Sequence, residues 1–335
     1  MNACDPEFRQ LMKPSENPAF TQKIDGQKQA YSKAVLLKYM DKLHELIAAA
    51  MGSGKKVDID DVLSAFPDVA PGTIKKYLKK YLDTCPDDLL HITGFYPAKE
   101  TLIAMAESRL GPVNGQNLSE TNELCKSIVE SISKPRHARF LASQLASHIK
   151  DGMANIPVDL LVNLLFDEYV SFIRESDNGL VSIAGSLNEA IFIRGLLNEG
   201  LQENEDVVKT GTDSDGDLKI QHHGKKGAEV LFVEIKSYAA RERLLRGLQD
   251  IKSQNKIGVG FFNNPAEFNP KRTNTLLAAD PLAIYMPRKT WDKVPEDSRR
   301  KANRVSDYLY RPLDMFVADM KAYVKTGKLP VFNSF

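Results

Sequence analysis

Asp217, Glu234 and Lys236 carry the strongest chemical signal in this sequence. Asp217 opens the alternating run Leu218-Lys219-Ile220, and Glu234-Ile235-Lys236 closes the apolar run Val230-Leu231-Phe232-Val233. Side chains alternate between the two faces of a strand, so Glu234 and Lys236 point the same way. A hairpin joining the two runs, with its polar turn over residues 221–228, sets Asp217 beside them. Two carboxylates and the backbone carbonyl of Ile235 then converge on one point. Hard oxygen donors of this kind suit Mg²⁺, with Mn²⁺ as a substitute. A lysine beside them can orient a water, help to deprotonate it and neutralise charge on a phosphate. These are the parts required for metal-assisted hydrolysis of a phosphodiester.

Other readings of the polar residues fit less well. The run Asp213-Ser214-Asp215-Gly216-Asp217 begins like a calcium loop, which needs glycine at position 6 and glutamate at position 12. Those positions hold Leu218 and Gly224. Asp215 is the alternative ligand to Asp217, but the apolar residues at 218 and 220 favour Asp217 as the strand-start residue. His222 and His223 are expected in the turn, exposed or against a phosphate, and are too few for a histidine-ligated zinc. Cys4, Cys85 and Cys125 form no CxxC pattern. That excludes a disulfide scaffold or a zinc ribbon and makes a reducing cytoplasm the simplest setting. Trp291 is expected to pack.

The elements that must position these residues change character along the chain. Residues 1–30 are polar, broken by Pro6, Pro14 and Pro18, and read as an arm. Apolar residues at helical spacing predict a helix over 31–51, ended by Gly52-Ser53-Gly54. A short helix at 58–66, a turn with Pro67 and Pro71, and a second helix from Thr73 follow. An extended piece is expected at 89–93, then helices at 98–110, 118–132, 136–149 and 157–175. From residue 185 the pattern becomes α/β: a helix at 185–200, strands at 206–210, 217–221 and 229–236, a helix at 239–253, and strands at 256–262 and 282–286. Helical patterning returns over 296–326. The shift divides the chain into a mainly helical region, 1–180, and an α/β region with C-terminal helices, 181–335.

With these elements in place, the sequence resembles the PD-(D/E)xK nuclease superfamily, over about 185–290. The motif is Asp217 followed by Glu234-Ile235-Lys236, with Gly216 where the superfamily has proline. Gly185-Ser186-Leu187-Asn188-Glu189 resembles the helix that often precedes this core, and Glu189 matches its additional acidic residue. The resemblance implies a restriction-endonuclease-like core with a mixed sheet of about four strands. It implies a metal held by Asp217, Glu234 and the Ile235 carbonyl, Lys236 positioning water, and Glu189 adding to the metal site. It also implies a homodimer, because two active sites cut the two strands of a two-fold DNA site. Most similar is a type II restriction endonuclease; the chain has no GxxxxGK[ST] ATPase signature, and a small resolvase needs far less chain. The alternatives are a repair, recombination or transposition nuclease, or a non-catalytic regulator. The recombination subgroup marked by Gln-x-x-x-Tyr fits less well, since Ser253 follows Gln249.

Charge bears on the DNA partner. The 335 residues hold 45 Lys+Arg and 44 Asp+Glu, a net charge of +1, which excludes a bulk polycation but not a local basic surface. Residues 58–83 fit a helix-turn-helix, winged or not, with Thr73, Lys75, Lys76, Lys79 and Lys80 on the DNA side and Ile74, Tyr77, Leu78 and Tyr81 in its core. Residues 271–311 hold ten basic against five acidic residues. There Lys271, Arg272, Arg299 and Arg300 could follow a phosphate backbone, and the segment Asn263–Asn274, with Asn263 and Asn264, reads as a base-contacting loop. No apolar run is long enough to span a bilayer.

Overall fold

The computed structural model describes residues 33–53, 56–84, 88, 91–93, 95, 98–150, 153–163, 185–211, 215–224, 227–236 and 241–332. The arm at 1–30, the second half of the helix expected at 157–175 and Asp213 lie outside the described residues. The chain divides into two units, one of residues 1–106 and 124–177, the other of residues 107–123 and 178–335.

In the first unit, α1 (Lys33–Gly52) precedes a short strand β1 (Val57–Asp58), then α2 (Ile59–Ser64) and α3 (Pro71–Thr84). Asp58 caps α2: its side chain accepts from the Asp60 amide at 3.0 Å, and Asp61 answers at the Asp58 amide. That reciprocal arrangement satisfies donors the first turn leaves open. β1 pairs in parallel with β2 (Ile92–Thr93). The expected stripe on α3 is the buried one, with Ile74, Tyr77, Leu78 and Tyr81 all at most 3% exposed. Next come α4 (Lys99–Leu110) and α5 (Leu118–Leu145), of which residues 107–110 and 118–123 belong to the second unit. α5 is a single helix through Pro135 where two were expected; a proline removes one backbone donor, and the helix continues on both sides of it. A small hairpin, β3 (Ile149–Lys150) with β4 (Met153–Ala154), and α6 (Val158–Asn163) follow.

The second unit is built on a six-stranded mixed sheet, larger than the four strands expected. A helix over 185–198 (α7) leads in. Leu187, Ile191, Phe192 and Leu196 form its buried stripe. The strands are β5 (Val207–Lys209), β6 (Leu218–Gly224), β7 (Gly227–Lys236), β8 (Lys256–Gly260), β9 (Ala283–Met286) and β10 (Tyr310–Pro312), in the order β10-β9-β8-β7-β6-β5. β5, β6 and β7 are antiparallel neighbours; β7 to β10 run parallel. β7 reaches β8 through α8 (Arg241–Asp250), and β8 reaches β9 through a 3-10 turn and α9 (Pro270–Leu277). Short helices α10 (Arg288–Trp291) and α11 (Glu296–Arg299) precede β10, and α12 (Phe316–Thr326) ends the unit.

Alternation along the strands divides the core into two layers. Ile284 and Met286 join Leu244, Leu248, Phe268 and Leu276 on the α8/α9 face. Tyr285, between them in sequence, meets Phe316 of α12 on the other face, and Phe316 meets Phe192 of α7. Each fully buried side chain of this size contributes about 1.5–3 kcal/mol. β8 and β9 are buried at every position, as befits parallel strands covered on both faces.

Three expectations are corrected here. Residues 296–326 are not continuously helical: β10 lies within them as an edge strand, a position that tolerates Pro312 because an edge has a side with no ladder bond to donate. His222 and His223 sit inside β6 rather than in a turn, because the β6–β7 ladder runs on to the Gly224–Gly227 pair. Asn263–Asn274 is a loop only at its start, since Asn264 and Asn269 cap the helical turns at 265–268 and 270–277.

Candidate active site

The antiparallel register Leu218↔Val233 brings the start of β6 beside the end of β7. The Asp217 amide donates to the Val233 carbonyl at 2.8 Å, and the Asp217 Oδ2 accepts from the Ile235 amide at 2.6 Å. Asp217 is thus tied to β7 by its backbone and by its carboxylate. Gly216 holds φ at +69°, and a Cβ there would stand 3.1 Å from the Val233 carbonyl. Proline, fixed near a φ of about −65°, cannot take that conformation.

Glu234 and Lys236 share a face, as alternation requires. The Lys236 ammonium lies 3.0 Å from the Ile235 carbonyl and 3.5 Å from Asp217 Oδ2, and it pairs directly with Glu234 Oε1. One cation therefore sits among the same three oxygens that the sequence nominates as ligands. The Glu234 side chain is only 9% exposed. Burial pushes its carboxyl above the ordinary glutamate range; Asp217 and Asp250 push the same way, and Lys236 pulls it down.

Asp217 and Glu234 open into a cleft of about 690 Å³. Five carboxylates line it, those of Glu189, Asp215, Asp217, Glu234 and Asp250, together with Lys209. Glu189 projects from α7 and pairs with Lys209 of β5 at 2.6 Å. The surplus of negative charge draws cations into the cleft. Among the described residues, no three His, Cys, Asp or Glu side chains stand close enough to hold a metal ion by themselves. The donor set that fits one is mixed: the carboxylates of Asp217 and Glu234 with the carbonyl of Ile235. The Lys236 ammonium among those oxygens marks the place as suited to positive charge.

Three contributions to the cleft have no signal in the local sequence. Asp250 and Gly247 come from α8, and Lys209 comes from β5. The end of α8 is fixed by buried Lys256, whose ammonium donates to the carbonyls of Leu248 and Ile251, each at 2.8 Å. The Leu248 carbonyl belongs to the last turn and that of Ile251 follows it directly, at the helix end where a cation is favourable.

The other nominated residues are placed as follows. Lys75, Lys76 and Lys79 are exposed on α3 in the first unit, and Thr73 and Lys80 are half-buried. In the second unit, the register Glu234↔Gly258 and Lys236↔Gly260 puts the end of β8, and so exposed Asn263, at the same end of the sheet as the acidic cleft. Asn264 spends its carbonyl on the Ala266 amide at 3.1 Å. Lys271 is exposed and Arg272 half-buried on α9. Arg299 stacks over Trp291 at 4.9 Å, and Arg300 pairs with Glu296. The indole of Trp291 donates to the Tyr310 carbonyl at 3.1 Å, a packing role as expected. His222 Nδ1 lies 2.7 Å from the Val324 carbonyl, so it joins β6 to α12 instead of facing solvent.

No known protein-family profile matches the chain, and no curated protein matches it. Among solved structures, it is similar to restriction endonuclease PspGI in complex with substrate DNA, at 14% identity and a TM-score of 0.43, over 68% of this chain and 93% of that one.

Proposed function

We propose that this chain is a Mg²⁺-dependent endonuclease that hydrolyses phosphodiesters of double-stranded DNA, of the type II restriction kind. The observation that carries the reading is the Lys236 ammonium set among Asp217 Oδ2, Glu234 Oε1 and the Ile235 carbonyl at the ends of adjacent strands. A Mg²⁺ held by Asp217, Glu234 and the Ile235 carbonyl would supply Lewis acidity to the phosphate, and Mn²⁺ could replace it. Asp217 is fixed for that task by the Ile235 amide, and Glu234 by its burial. Lys236, still 21% exposed, can turn toward an incoming phosphate and hold the attacking water in line. Glu189, which lines the same cleft and pairs with Lys209, would add to the metal site. The exposed lysines of α3 fit a phosphate backbone, which supports the helix-turn-helix reading of residues 58–83. Two copies would be required to cut both strands at one two-fold site.

The test is plasmid cleavage by the purified protein in Mg²⁺. Discrete fragments are expected, together with their loss in Asp217→Asn and Lys236→Ala variants that still bind DNA. Cleavage unaffected in both variants would sink the site assignment. A smear in place of bands would point to a repair nuclease with the same site. Tight binding to one sequence without cleavage in Mg²⁺ or Mn²⁺ would point to a regulator.

A further inference from the structure

We propose that Gly247 is a positioning residue, whose missing side chain is what allows the Glu234 carboxylate to lie against α8 and face Lys236 and Asp217. The proposal rests on the reading of this cleft as a cation-dependent catalytic centre. A Cβ at position 247 would stand 1.9 Å from Glu234 Oε1, 2.3 Å from its Cδ and 2.8 Å from its Cγ. The conflict involves the carboxyl group and the carbon that bears it, so no turn about the last side-chain bond relieves it.

The backbone gives no other reason for glycine here. Gly247 lies within the ten-residue helix α8 and is not among the glycines with positive φ. Glycine inside a helix is unfavourable relative to alanine, because it has more backbone freedom to lose. A helix that keeps one therefore needs the space. The neighbouring strand shows the same economy. Gly258 is the register partner of Glu234 on β8, and a Cβ there would stand 3.0 Å from Leu244 Cδ1, one turn earlier on α8. Glycine at 258 thus lets α8 pack closely on β8 beside Glu234, and glycine at 247 leaves room for the Glu234 side chain between them. Glu234 cannot retreat to solvent without leaving Lys236, since its side chain is only 9% exposed.

Mn²⁺ affinity of the full chain, titrated by electron paramagnetic resonance, and plasmid cleavage test the assignment. Gly247→Ala is expected to weaken Mn²⁺ binding by about 10- to 100-fold, the loss typical when a ligand's support is disturbed, and to cut cleavage with it. Glu234→Asp shortens the side chain by one carbon and withdraws it from position 247. The double variant Gly247→Ala/Glu234→Asp is therefore expected to bind Mn²⁺ more tightly than Gly247→Ala alone. A merely structural fault in α8 would not be relieved in this way. Unchanged Mn²⁺ affinity in Gly247→Ala overturns the proposal, and so does a loss that Glu234→Asp does not relieve. A crystal structure of Gly247→Ala reads the same point without any metal. Glu234 displaced from Lys236 supports the positioning role, and Glu234 unmoved overturns it. Absence of Mn²⁺ binding in the parent protein is a different failure, that of the catalytic reading, and the crystal structure still decides the role of Gly247.

Discussion

Lys236→Met keeps the length and apolar stem of the side chain while deleting the cation held between Asp217 and Glu234. At 3.5 Å and with an effective dielectric constant of about 20, the Lys236–Asp217 pair carries roughly 4–5 kcal/mol of attraction, and the closer Glu234 pair more. Most of that is cancelled by the cost of stripping water from the charges, and Lys236 and Asp217 keep 21% and 28% of their side-chain exposure. Fully exposed pairs are worth about 0–1 kcal/mol, and breaking a buried one costs about 3–5. This site lies between, so the variant should lose about 2 kcal/mol of unfolding free energy in EDTA. The two carboxylates are then left facing each other, and a divalent cation can take the place of the ammonium as their counter-charge. In the parent that cation would compete with the ammonium for the same three oxygens; in the variant it would not. At about 100 times its dissociation constant a bound cation contributes about 2.7 kcal/mol, so Mg²⁺ should recover the deficit. Urea unfolding of both proteins, in EDTA and in Mg²⁺, measures all four quantities. Equal stability in EDTA, or equal stabilisation of both proteins by Mg²⁺, would refute the reasoning. Cleavage should be lost in the variant under either condition.

Three further perturbations bear on other parts of the molecule. Arg311, 1% exposed, pairs at 2.6 Å with both Asp307 and Asp319; Arg311→Met strands two buried carboxylates and should cost about 3–5 kcal/mol in urea unfolding, and a loss below about 1 kcal/mol would contradict that account. Because burial raises the folded-state pKa of Glu234, the folded protein binds a proton more tightly than the unfolded chain does from pH 4.5 up to the raised value. Stability in EDTA should therefore fall as pH rises through that window, and Glu234→Gln should remove the fall; parallel pH profiles for the two proteins would be the contrary result. Replacing Lys75, Lys76 and Lys79 with alanine should flatten the salt dependence of DNA binding by about 0.9 in log–log slope for every phosphate that is no longer neutralised, and an unchanged slope would remove α3 from the interface.

The heart of the site was legible because a strand imposes a period of two. Asp217 at one strand start and Glu234-x-Lys236 at the next strand end fix their relative positions once the hairpin is assumed, and the Leu218↔Val233 register is that hairpin. Asp250, Gly247 and Lys209 could not be read this way, because α8 and β5 meet the cleft through packing and leave no local spacing to detect. β10 escaped for a related reason. It is three residues long, it ends in proline, and its register with β9 is supported by buried Arg311, a residue that suggests surface in a sequence. Asn264 and Asn269 show the converse, since asparagines that suggest base contacts are used for capping the turns beside them.

The two outer strands, β5 and β10, are each three residues long, and Pro312 deprives β10 of a donor. Among the described residues, neither rim presents a long continuous row of free amides and carbonyls on which another chain could extend the sheet. If a second copy of the protein docks, as the proposed two-strand cleavage requires, these short rims favour docking through side chains of helices and loops over strand addition. Such an assembly would depend on residues that can vary without disturbing the ladder that holds Asp217 and Glu234 in place.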